Sequence, residues 1–78
     1  MHNTSWKNMS KSLLKSELVK KGIDYQLLSE KLALIGVNES PSNINSKINR
    51  GTFSFIFFIQ CMQSIQTDSV SFENSRLL

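Results

Sequence analysis

The chain has 78 residues, of which 40% are hydrophobic and 19% charged, with a formal net charge of +3. This describes one ordinary domain, near the size at which a single core contributes only about 3 to 5 kcal/mol of net stability. One cysteine, Cys61, and one histidine, His2, exclude an internal disulfide and argue against a metal or any cofactor, which leaves self-association as the expected support.

From about 5 to 21, Trp6, Met9, Leu13, Leu14 and Leu18 recur near the helical period among lysines and serines, which predicts a first amphipathic helix. Asn3, Thr4 or Ser5 is expected to cap its start, Gly22 to stop it, and Trp6 to anchor the core. A second helix is predicted over 25 to 35, with Asp24 as N-cap, Ile23 stapled on Leu28, a stripe of Leu28, Leu32 and Ile35, and Gly36 as C-cap. Tyr25 and Gln26 fall in its exposed first turn, where backbone N–H groups are free for a phosphate.

After the short connection Val37-Asn38-Glu39 comes SPSNINSKINRG, 40 to 51. Ser40 suits the N-cap, Pro41 the first helical position and Gly51 a left-handed C-cap, so a third helix is predicted over 41 to 49. Ile44 and Ile48 make a narrow inner seam. Ser42, Asn45, Ser46, Asn49 and Arg50 share the opposite side without any acid. Hydrogen-bonding groups with a cation are the equipment of a helix that enters the DNA major groove, and the plain alternative is a solvated surface helix. Charge is segmented to match. Residues 1 to 21 hold five lysines against Glu17, residues 22 to 39 are net acidic, and residues 40 to 51 add Lys47 and Arg50 alone. Lys47 and Arg50 are therefore further expected contacts, holding phosphate by salt-sensitive attraction.

A fourth helix is predicted from about 55 to 66, capped by Thr52 or Ser54, with Phe58, Cys61, Met62 and Ile65 at helical spacing; the apolar run from Phe55 to Ile59 also fits a strand. Such a run covers every side of a helix. Phe55, Ile56 and Ile59 are thus expected to form an exposed patch and the interface of a homodimer. Expected core positions are Leu14, Leu18, Leu28, Leu32, Ile35, Ile44, Ile48, Phe58, Met62 and Ile65. The domain is expected to occupy residues 1 to 66, and the polar tail 67 to 78 to be loose or weakly extended.

The six acids are scattered, Cys61 has no basic neighbour in sequence, and His2 has no second ligand nearby. No catalytic or metal-binding constellation results, and an enzyme is not expected. No apolar run nears the roughly 18 residues of a membrane span and no secretory signal opens the chain, so a cytoplasmic protein without membrane contact is expected.

The residues GIDYQLLSEKL at 22 to 32, Gly36-Val37, Ile44 and INRGTFSFIFFIQCM at 48 to 62 resemble the Cro and lambda-repressor type of helix-turn-helix regulators over about 10 to 66. The stretch from Leu28-Ser29 to Gly36 is longer than that family's pattern and implies a second helix lengthened by nearly a turn. The chain also looks like a set of short bacterial proteins of unassigned function that share LKSEL, here 14 to 18, and RGTFS, here 50 to 54. The first resemblance implies an all-α, lambda-repressor-like four-helix bundle that binds double-stranded DNA as a dimer, with helix 41 to 49 as recognition helix. The competing expectation is a helical protein-interaction module, in which the third helix is covered. RNA recognition fits less well because the phenylalanines fall where core is expected rather than on an open stacking platform.

Overall fold

The computed structural model describes residues 3–66 and is all-α, with four helices: α1 Asn3–Lys20, α2 Tyr25–Leu34, α3 Pro41–Arg50 and α4 Phe55–Ser64. The expected tail, 67 to 78, lies outside the described residues.

Local chemistry sets most of the helix boundaries. Asp24 accepts the Leu27 N–H through Oδ1 at 2.8 Å, Ser40 Oγ accepts the Asn43 N–H at 3.0 Å, and Ser54 Oγ accepts the Phe57 N–H at 3.0 Å. Each side chain satisfies one of the N–H groups that a helix start leaves without a partner, a contribution of about 1 kcal/mol apiece. Ser54, rather than Thr52, is thus the cap of α4. The run from Phe55 to Ile59 is helical, because a satisfied cap starts it and no strand exists among the described residues to pair with it. At the other ends, Ile23 N–H donates to Leu18 O and Val37 N–H to Leu32 O, both at 2.9 Å, which closes α1 and α2 around Gly22 and Gly36. Asn3, Thr4 and Ser5 lie inside α1 instead of capping it.

One core unites the helices: Leu14 and Leu18 from α1, Ile23, Leu28 and Leu32 at α2, Ile44 and Ile48 from α3, and Phe57, Cys61, Met62 and Ile65 at α4. The helix α2 packs on both α3 and α4, while α1 packs on α3. Lys21 Nζ donates to Gln66 O at 3.2 Å and joins the end of α1 to the end of α4.

Three expected core positions change. Ile35 is exposed because α2 stops at Leu34 and leaves it as the C-cap. Phe58 is only partly buried, and Phe57 takes the inner position, in line with Cys61 and Ile65 at steps of four. Trp6 is 54% exposed. In this part of α1 it is Lys7 that meets the end of α3, at Gly51, and Trp6 beside it is left to solvent. Glu17 is the unexpected inner residue, 2% exposed, with its carboxylate 3.0 Å from Lys20 Nζ.

Candidate functional site

The capped helix α3 presents two unlike sides. Ile44 and Ile48 are fully buried, whereas Ser42, Asn45, Ser46, Asn49 and Arg50 are all exposed, as the spacing of the two isoleucines requires. On the outer side Asn49 Nδ2 donates to Asn45 Oδ1 at 2.6 Å. One turn apart, the two carboxamides engage each other, and both side chains remain exposed. Arg50 takes part in no ion pair among the described residues.

Lys47 occupies a different place from the other expected contacts. Its ammonium bonds the Glu39 carboxylate and stands 4.9 Å from the centre of the Phe57 ring, so its charge is engaged at the flank of α3 against α4 by an ion pair and a cation–π contact. Ser29 Oγ donates to the Glu39 carbonyl at 2.6 Å. The connection between α2 and α3 is thereby tied to α2 by its backbone and to α3 by its side chain, which fixes how α3 sits on the bundle. Cys61 lies below this group. Burial pushes its thiol up to about 12, the Glu39 carboxylate adds to the rise, and Lys47 opposes it. The neutral thiol is a poor nucleophile, so Cys61 is a packing residue.

At the start of α2, Gln26 is exposed and its Nε2 donates to Glu30 Oε2 at 3.3 Å. Tyr25 is half-buried against the core, and burial raises the pKa of its phenol. It lines an open apolar groove with Lys15, Leu18, Val19, Ile23 and Asp24. The Asp24 carboxylate already faces the N-terminus of α2, where a phosphate would meet its negative charge.

The third feature is the apolar side of α4. Phe55 and Ile56 are 75% and 70% exposed and Ile59 is 48% exposed. A run of rings leads to it from the core: Phe57 meets Phe53 edge-on at 6.1 Å, Phe53 stacks on Phe58 at 6.5 Å, and Phe58 stacks on Phe55 at 6.3 Å. The patch is therefore continuous with the interior rather than a loose fringe. It lies on α4, whereas the carboxamides lie on α3.

Sequence reasoning missed two features. The pairing of Lys47 with Glu39 spans a turn whose shape sets the distance, and the close approach of α1 to Gly51 is a tertiary event. Among the described residues no group of three or more His, Cys, Asp or Glu could hold a metal ion, and no helix is long and apolar enough to cross a membrane.

Compared with known families, residues 6–70 match the model described as a domain of unknown function (DUF6471). No curated protein and no solved structure matches the chain.

Proposed function

The chain belongs to the DUF6471 family of domains of unknown function, and we propose that it is a sequence-specific double-stranded DNA-binding protein, a small dimeric transcriptional regulator that reads the major groove with α3. The observation that carries this reading is the outer face of α3: Ser42, Asn45, Ser46 and Asn49, with Asn43 beside them, and the cation Arg50, all exposed, with no acid among them. At ten residues the helix is about 15 Å long, and its diameter with side chains, about 10 to 12 Å, suits a groove about 12 Å wide. Asn45 and Asn49 are the base readers: once their mutual hydrogen bond is exchanged for a base edge, a carboxamide offers the donor and acceptor that adenine takes at N7 and N6. Arg50, at the helix end, holds phosphate; Ser42 and Ser46 supply hydroxyls to bases or backbone, and Gln26 reaches the backbone from the start of α2. Such a protein works in the cytoplasm of a bacterial or phage-infected cell.

Dimerisation through Phe55, Ile56 and Ile59 completes the reading. A two-fold pair sets two copies of α3 into successive major grooves, about 34 to 36 Å apart, and calls for a palindromic site. Replacing Ile59 with aspartate is expected to yield a folded monomer in sedimentation, because the side chain is half out in solvent in the single chain. Unfolding of that variant would place Ile59 in the monomer core and remove the interface.

The deciding measurement is a salt-titrated gel shift on random duplex DNA, followed by selection of the preferred site. Asn49→Ala is expected to weaken binding to that site by about 1 to 3 kcal/mol and to leave random duplex nearly unchanged. Equal losses on both would remove the base-reading role. The exposed Phe55 and Ile56 also favour a second reading, a helical protein-interaction module. Absence of any shift at low salt leaves that second reading in place.

A further inference from the structure

Binding to a polyanion needs more positive charge than α3 supplies, because Lys47 is engaged with Glu39 and Phe57 and only Arg50 remains on that helix. The missing charge stands on α1. Gly51, at the end of α3, lies so close to α1 that a Cβ placed on it would be 2.5 Å from the Lys7 carbonyl oxygen and 3.0 Å from Lys7 Cβ. The Lys7 side chain therefore starts beside the Arg50-Gly51 end of α3. Lys11 follows four residues later, on the same side of α1 as Lys7.

We propose that Lys7 and Lys11 are a sequence-independent anchor for the phosphodiester backbone, acting together with Arg50 at the Gly51 end of α3. This rests on the reading of α3 as the DNA-facing helix. Neither lysine takes part in an ion pair or hydrogen bond among the described residues. No acid stands three or four positions from either, since Asn3, Thr4, Asn8, Ser10, Leu14 and Lys15 fill the other such places. Two like charges one turn apart repel each other, so an anion between them removes a cost that the free protein carries. The C-terminal end of α3 contributes a partial negative charge that opposes phosphate, equivalent to about half an elementary charge. Three full cations outweigh it. Lysine also suits the task, as a point charge on a flexible stem that follows phosphate without reading a base. The division of labour is then plain: the carboxamides of α3 choose the sequence, and α1 with Arg50 fixes the position.

The test is the slope of log affinity against log salt for random duplex DNA, measured on the full chain. Lys7→Gln with Lys11→Gln keeps most of each stem, and Lys21→Gln is the control that removes one charge just past the end of α1, roughly 20 Å from Lys7. Each lost phosphate contact lowers the slope by about 0.9. The double variant is therefore expected to lose about 1.8 and to weaken preferred and random duplexes by the same factor, while Lys21→Gln keeps the slope of the unmodified protein. A double variant that behaves like Lys21→Gln while the unmodified protein binds overturns the anchor and leaves the reading of α3 standing. Failure of the unmodified protein to bind duplex DNA overturns both. Circular dichroism distinguishes either result from unfolding, and a loss of helicity in the double variant with an unchanged slope would assign the lysines to the fold instead.

Discussion

Truncating Ile44 to alanine is expected to lower the unfolding free energy by about 2 to 5 kcal/mol. Ile44 is fully buried and is one of only two apolar side chains by which α3 enters the core, the other being Ile48. Removal leaves a cavity between α3 and its neighbours, because close-packed side chains relax only in part. At the usual 0.05 to 0.15 kcal/mol per residue, a chain of 78 residues has a total stability of roughly 4 to 12 kcal/mol. The loss is a large share of that range. A urea titration followed by circular dichroism should show a midpoint far below that of the unmodified chain, or no folded baseline at all. Ser46→Ala, on the exposed side of the same helix, is expected to stay within about 0.5 kcal/mol. Comparable effects at the two positions would contradict the assignment of inner and outer sides.

Replacing Gly51 with alanine should cost about as much, for a different reason. Gly51 has φ +70° and is buried, and an L-residue in that region loses about 1 to 2 kcal/mol against its relaxed backbone. The added methyl carbon would in addition lie 2.5 Å from the backbone oxygen of Lys7. A backbone oxygen cannot rotate away as a side-chain tip can, so α1 must shift off α3. With overpacking added to strain, the expected loss is about 2 to 5 kcal/mol. Gly36→Ala is the internal reference, because Gly36 has φ +84° and open space around it. It should show the strain alone. The difference between the two melts measures the close approach of α1 to α3, and equal losses would mean that the approach is looser than described.

The parts of this fold that sequence made legible are those set by neighbours along the chain. Asp24, Ser40 with Pro41, and Gly51 were readable because a cap acts over three or four residues. Ile44 and Ile48 were readable because a pair four apart among polar residues leaves one choice of inner side, and Leu14 with Leu18 and Leu28 with Leu32 because the same step from their neighbours Leu13 and Leu27 meets a charge, Glu17 or Lys31. The phase of α4 was not. Five apolar residues in a row offer every rotation, and packing against α2 selected Phe57 over Phe58. Trp6 misled because an aromatic at helical spacing suggests core, whereas Lys7 beside it is the residue that meets α3. For the candidate site, exposure of the polar side of α3 followed from the two isoleucines. The engagement of Lys47 with Glu39 did not, because it depends on the shape of the turn between α2 and α3.

That turn has a consequence for change over time. The residues that hold α3 in place are Ile44, Lys47 and Ile48 on its inner side and flank, together with Glu39 and Ser29 outside it. None of them is Ser42, Asn45, Ser46 or Asn49. Support and presentation therefore occupy separate letters of the same ten-residue word, and substitutions in one set should combine nearly additively with those in the other. A lineage can rewrite the outer four residues without passing through an unfolded ancestor, so under the proposed DNA-reading role specificity would be free to drift while the scaffold stays under stability selection.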